Sequence, residues 1–197
     1  MKINEIILSE IELVGGIEFP KDQAQQRLSI SSPYGKFNDE LYVFFLASGD
    51  IRIITLADSD EQVAALATFI SKNNDSIWQA KNIATYHPHK NQKLAANLYK
   101  YVKSQFRKSL QSDYEQTVAG AKLWTKDLPS VGLFPMIYDH ETDRIIDPEK
   151  QKINMYPAMD SDSIHRYSWI IERNDFYSAQ NLVENPLLLP LTSKWKK

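Results

Sequence analysis

The sequence predicts an α+β fold: a mixed, mostly antiparallel twisted sheet with helices packed on it. Three observations carry this. Two apolar, β-branched and aromatic runs flank a polar turn in "LYVFFLASGDIRIITLAD" (41–58), which is how a β-hairpin reads. Residues 90–108 repeat apolar side chains at helical spacing, Leu94, Leu98, Tyr101, Val102 and Phe106, between two β-like segments. The order of elements, strand, hairpin, strand, helix, strand, helix, strand, contains one small α/β unit inside an otherwise hairpin-built chain.

Taken in order, "IELVGGIEF" (11–19) reads as a strand with a glycine break and "KDQAQQRL" (21–28) as a short helix. The hairpin of 41–58 turns at Ser48-Gly49-Asp50. Residues 61–87 read as a second hairpin around Lys72 to Ser76, although the alanines of 64–67 leave a helix open there. The helix of 90–108 has Pro88 just outside its start. "SLQSD" (109–113) is a short strand running into a second helix, "YEQTVAGAKLWTKDL". "LFPMIYDHETDRIID" is a hairpin and "SIHRYSWIIER" (163–173) a strand alternating Ile164, Arg166, Ser168. From about residue 175 the prolines and the basic end "SKWKK" read as a loosely packed tail.

With 197 residues the chain fits one domain spanning 1–197 better than two. A net charge of −2 excludes a molecule that binds nucleic acid through overall charge. The chain holds no cysteine, so disulfides, thiol catalysis and thiolate metal sites are excluded, in keeping with a reducing compartment. Glu5, Glu10 and Glu12 interrupt the apolar N-terminal run, which is not a signal peptide, and no stretch is suited to span a bilayer. The expected location is the cytoplasm.

"TYHPHKNQKLAANLYKYV" (85–102) is the stretch most suited to an anion. A β-like run ends in His-Pro, a polar loop follows and a helix begins, so loop amides and a helix N-terminus converge on one point. Such cradles use glycine where the backbone approaches closely, and Lys93 stands there instead.

On these residues the chain resembles the GNAT superfamily of N-acetyltransferases. That family runs a central strand into a loop, Arg/Gln-x-x-Gly-x-Gly/Ala, that opens a helix and holds the pyrophosphate of acetyl-CoA. The counterpart here is Lys90-Asn91-Gln92-Lys93-Leu94-Ala95-Ala96, followed by "NLYKYV". "LQSDYEQTVAGAKLWTKDL" resembles the family's next strand and helix, and the combination "L-Y … L-x-S-D … L-W-x-K-x-L" is closest to acetyltransferase-like proteins of tailed bacteriophages. The resemblance spans roughly residues 40 to 172. Lys93 occupies the first glycine position, Ala95 the second and Lys90 the usual arginine or glutamine. Trp124 stands where a tyrosine often serves as general acid, and indole has no proton to transfer at neutral pH.

The resemblance implies acetyl-CoA as co-substrate and a small-molecule or protein amine as acceptor. It assigns Ile83, Ala84, Thr85 and the loop residues Lys90 to Ala96 to the cofactor. Tyr86, Asp113 and Tyr114 are the catalytic candidates. Lys90 and Lys93 either replace amides as point charges or obstruct the cradle. The alternative is a non-catalytic protein on the same scaffold that binds a protein or nucleic-acid partner. A homodimer is compatible with either, and nucleic acid is the less expected partner.

The remaining residues have plainer readings. Residues 90–108 carry six Lys or Arg and no acid, which suits a solvated helix face as well as a phosphate-binding one. His87, His89, His140 and His165 show no metal-ligand spacing, so no metal is expected. Asp113, or equally Ser112, reads as a helix N-cap. Trp124 and Trp169 read as core. Asp139, Glu141, Asp143, Asp147 and Glu149 read as a solvent-exposed acidic group.

Overall fold

The computed structural model describes residues 19–86, 93–114, 116–153, 155 and 165–172. The strand expected at 11–19 and the tail from about 175 lie outside them, apart from Phe19. The elements are α1 (Lys21–Ser29), β1 (Ser32–Lys36), β2 (Tyr42–Ser48), β3 (Ile51–Ala57), β4 (Val63–Lys72), β5 (Ile77–Thr85), α2 (Leu94–Phe106) and β6 (Ser109–Gln111). Then come α3 (Val118–Lys122), a π-turn (Leu123–Asp127), α4 (Leu128–Ser130), β7 (Met136–Asp139), β8 (Arg144–Ile146) and β9 (Tyr167–Ile171).

The nine described strands form one sheet in the order β1-β2-β3-β4-β5-β6-β9-β7-β8. Every pairing is antiparallel except β5 with β6, which the α2 crossover joins in parallel. Both predicted hairpins are present. Gly49 closes the first at φ +54, a conformation glycine adopts without steric cost. The second turns through Asn73, Asn74 and Asp75, at φ 49, 52 and 64, residue types that tolerate the left-handed region. Asp75 accepts hydrogen bonds from Ser71 Oγ (2.7 Å) and Trp78 Nε1 (2.8 Å) and pairs with Arg52 and Lys108. The strands chosen over the open helix at 64–67 bury Ala64, Ala65, Leu66 and Ala67 completely, because helices cover β4 on both faces.

Strand alternation divides the core. On one face α1 lays Ala24 and Leu28 against Ile53, Leu66 and Ala84. On the other, α2 buries Leu94, Leu98, Tyr99 and Val102 against Ile54, Phe69, Trp78 and Leu110. Tyr101 and Phe106 pack on the margin of that second core, so the predicted stripe does face the sheet. Trp124 lies edge-on to Tyr99 at 5.5 Å, and both Trp124 and Trp169 are buried as expected.

Several boundaries differ from the sequence reading. The described part of the first crossover helix starts at Leu94, and residues 90–92 lie outside the described residues. Of the strand expected over 163–173, the described residues 165–172 form a strand from Tyr167 to Ile171. The second helix begins at Val118, four residues later than Tyr114, and its N-cap is Thr117, whose Oγ1 accepts from Gly120 N at 3.1 Å. Neither Asp113 nor Ser112 caps it. Asp113 is engaged by Lys81 and by Tyr114 N, and Ser112 Oγ by Trp169 N across the sheet. The helix widens into the π-turn directly before Pro129, which has no N–H to continue the α-ladder. The acidic group is not uniformly solvated either. Asp139 is only 3% exposed, because Arg166 reaches it with two hydrogen bonds of 3.1 and 2.8 Å.

Candidate functional site

The sheet opens between β5 and β6. Their parallel pairing covers Ile77–Ser109, Trp78–Leu110 and Gln79–Gln111, and then stops. Past that point β5 stays with β4 as far as Thr85, whereas the chain leaving β6 follows β9, with Ser112 N donating to Trp169 O at 2.8 Å. The divergence starts at a β-bulge. Thr68 faces Asn82 and Phe69 faces Ala80, which leaves Lys81 as the extra residue and turns the strand. Lys81 Nζ crosses the gap to Asp113 Oδ1 at 2.8 Å, and Gln79 Nε2 donates to Ser112 O at 3.2 Å. From Ala80 to Thr85 the β6-facing edge of β5 has no strand partner among the described residues, so its backbone groups line the opening.

Behind the opening stands the N-terminus of α2. Lys93 is the N-cap, and among the described residues Asn97 N is the first amide bonded along the helix, to Lys93 O at 3.0 Å, so the amides of Leu94, Ala95 and Ala96 form the first turn ahead of the ladder. Lys93 itself adopts φ 51 and ψ 26, the left-handed conformation that a glycine would take freely. Its Nζ donates to Ser130 Oγ at the end of α4, 3.1 Å away.

The sequence candidates separate. Ile83 packs toward the α2 core, Ala84 toward the α1 core, and Thr85 is half-buried at the strand end. Tyr86 is buried on the α1 side, where its hydroxyl donates to Phe19 O at 2.9 Å. Lys90, Asn91 and Gln92, with His87 and His89, lie outside the described residues. Asp113 meets the opening through Lys81, and Tyr114, the next residue, joins a polar cluster on β6, β9 and β7.

That cluster occupies the face of β6, β9 and β7 turned away from α2. Gln111 Nε2 donates to Ser168 Oγ at 2.9 Å and lies 3.2 Å from His140 Nε2. The same His140 nitrogen is 2.9 Å from Ser168 Oγ, and its Nδ1 is 3.5 Å from Tyr114 Oη. The ring of Tyr114 packs against those of His140 and His165, at 4.8 and 5.4 Å. Lys72 Nζ sits 5.7 Å from the Tyr114 ring centre. Burial and the Lys72 charge lower the pKa of His140, against weaker opposing pulls from Asp139 and Asp143, so the imidazole is neutral near pH 7. Burial, and then Lys81, lower that of Lys72. Burial and the Asp113 charge raise the Tyr114 phenol. Tyr138 donates to Asp143, which lifts its pKa to about 12. Tyr114, named from the resemblance, and the strand alternation around Ser168 are the traces of this face that the sequence carries. Gln111, His140 and Lys72 carried none, because their proximity is created by the sheet order.

Three of the basic residues of 90–108 have partners: Lys93, itself exposed, with Ser130, Lys108 with Asp75 at 2.7 Å, and Lys103, half-buried, beside Glu172. Among the described residues no group of His, Asp or Glu is placed to hold a metal ion, and no helix is long and apolar enough to cross a membrane.

No family model and no curated protein matches this sequence. Among solved structures the chain is similar to the spermidine/spermine N-acetyltransferase SpeG from Vibrio cholerae at 12% identity and a TM-score of 0.37. That match covers 63% of this chain and 66% of the other, just under two thirds of its length. It is also similar to a putative acetyltransferase of the GNAT family from Bacteroides thetaiotaomicron, at 10% identity and a TM-score of 0.36, covering 71% and 72%.

Proposed function

We propose that this chain is a GNAT-type acyltransferase that moves an acetyl group from acetyl-CoA to an amine. The observation that supports the reading most is the parting of β5 from β6 beyond Gln79 and Gln111, with the Lys81 bulge at the fork and the α2 N-terminus behind it. Acyl transfer requires the thioester carbonyl beside a hydrogen-bond donor, a neutral amine, and a proton for the departing sulfur. The unpaired edge of β5 offers backbone donors for the first. The amides of Leu94, Ala95 and Ala96 offer a seat for phosphate, to which the sequence adds Lys90, Asn91 and Gln92 as candidates. The left-handed backbone at Lys93 suits this seat, since it keeps the shape a glycine would give while adding a cation.

Trp124 is buried and has no hydroxyl to give. Tyr114 follows the Asp113 that pairs with Lys81 at the fork, and we assign its hydroxyl the proton for sulfur. Asp113 acts here through its ion pair, and Tyr86 supports the strand from the α1 side. The absence of cysteine accords with a cytoplasmic setting, and the L-Y … L-x-S-D pattern with a phage protein. The side chain at Lys93 favours a second reading, in which the scaffold binds a macromolecular partner without catalysis. Nucleic acid suits it poorly, given the engaged lysines and the net charge of −2.

Thermal unfolding with and without acetyl-CoA separates the two. Ligand at a hundred times its dissociation constant adds about 2.7 kcal/mol, or roughly 5–10 °C in a domain of this size. No shift at millimolar acetyl-CoA would remove the acyltransferase reading.

A further inference from the structure

A chain of buried polar groups crosses three strands and ends at a half-buried phenol. Ser168 and Gln111 are 1% and 3% exposed, and apolar side chains would fill that face without the need for mutual satisfaction. The members come from β6, β9 and the residue after β7, and the contacts have a direction. The carboxamide nitrogen of Gln111 only donates, and it faces both Ser168 Oγ and His140 Nε2. Facing a group that can only donate, Nε2 has to accept, and Ser168 Oγ, 2.9 Å from the same Nε2 and already accepting from Gln111, is then free to give it its own hydrogen. Nε2 is therefore the accepting nitrogen. In a neutral ring the proton then resides on Nδ1, the atom facing Tyr114 Oη.

We propose that His140, with Ser168 and Gln111, is a positioning device that holds an imidazole Nδ1–H on the Tyr114 oxygen and makes that phenol a proton donor toward the opening. The identity of the reacting group rests on the acyltransferase reading; the tautomer does not. In acyl transfer the amine nitrogen bonds to the thioester carbon, and the C–S electron pair leaves on sulfur. The Tyr114 O–H bond breaks and its proton goes to that sulfur. The phenolate left behind is stabilised by Nδ1–H, then takes the proton released by the acylated nitrogen. The imidazole remains neutral throughout.

The charged and titratable groups around His140 are compatible with this. Lys72 approaches from β4, Tyr138 and Asp139 from β7, Asp143 from the β7–β8 turn, and Tyr114 from the end of β6. Asp139 is occupied by Arg166, whose own carbonyl accepts from His140 N at 2.8 Å. Burial, and then the Lys72 charge, disfavour an imidazolium, so the ring serves as a fixed dipole rather than as a proton store.

The test is the ring itself. In the full-length 15N-labelled chain, long-range proton–nitrogen spectra are expected to show His140 protonated at Nδ1 and bare at Nε2 at pH 7. Gln111→Glu puts an acceptor where the amide donated, and is expected to move the proton to Nε2 and raise the pKa of His140. Gln111→Met serves as the control for shape. Losing the Nδ1–H donor should raise the pH at which Tyr114 ionises in ultraviolet titration, read against Tyr114→Phe. With acetyl-CoA and an amine, Gln111→Glu should lower kcat tenfold or more with KM for acetyl-CoA unchanged, a part of the about 10²–10⁴-fold that a general acid supplies. An Nε2–H tautomer in the parent overturns the proposal, as does a reversed tautomer that leaves both the Tyr114 titration and kcat unmoved. A parent that shows the Nδ1–H tautomer but gains no stability from acetyl-CoA retains the device and loses only the acyltransferase reading.

Discussion

Lys81 Nζ lies 2.8 Å from Asp113 Oδ1, and this ion pair spans the gap where the only parallel pair of strands in the described sheet separates. Both side chains are mostly shielded, at 17% and 28% exposure, so each charge depends on the other for its compensation. Asp113→Ala is expected to destabilise the protein by about 1–3 kcal/mol through the lysine left without its carboxylate. Lys81→Met with Asp113→Leu should recover most of that loss. Urea unfolding of the two variants checks this, and a double variant no better than the single one would show that the pair acts through strand geometry instead.

Lys93 gives a prediction of opposite sign. A lysine at φ 51 carries steric cost that glycine avoids, so Lys93→Gly should stabilise the fold by about 1 kcal/mol, and Lys93→Ala should not. A glycine inside a helix would cost stability instead, so the sign of this change tests whether Lys93 stands before the helix in the left-handed region. Calorimetric titration with acetyl-CoA adds the functional half. Lys93→Ala should weaken binding by about 1–2 kcal/mol if the ammonium meets phosphate.

Asp139 contributes a pH dependence. Its hydrogen bonds from Arg166, the largest cause, lower its pKa from 3.8 to about 2. A depressed folded-state pKa stabilises the fold above the unfolded value and loses that stabilisation as pH falls toward the folded one. Melting temperature should therefore decline between about pH 4 and pH 2, and Asp139→Asn should flatten that limb while lowering the plateau at neutral pH. An unchanged slope in the variant would assign the acid limb to other carboxylates, Asp75 first among them, since its bonds from Lys108, Ser71 and Trp78 hold it low as well.

Leu98 tests the packing of α2. It is fully buried between the helix and the sheet, so Leu98→Ala should cost about 2–5 kcal/mol. Tyr101→Ala, at the margin of the same stripe, should cost clearly less. Equal losses in denaturant unfolding would mean that the helix edge carries as much of the core as its centre.

Sequence by itself determined the α+β class, the first hairpin, the α2 stripe and the burial of Trp124 and Trp169, and left the second hairpin open to a helix at 64–67. These follow from side-chain periodicity and turn chemistry, which act over a few residues and are written in neighbouring positions. Helix starts were less accessible. Asp113 and Ser112 have capping side chains, but partners 32 and 57 residues away, Lys81 and Trp169, claim them, and the cap passes to Thr117. The same is true of Asp139, which looks solvated in an acidic stretch until Arg166 is brought onto it from β9's approach. Only the tertiary structure decided the candidate site. The order β5-β6-β9-β7 places Gln111, Ser168, His140 and Tyr114 within hydrogen-bond reach although up to 57 residues separate them, and the bulge at Lys81 opens the sheet beside them. Long-range strand pairing sets those distances, and no local pattern of residues encodes it.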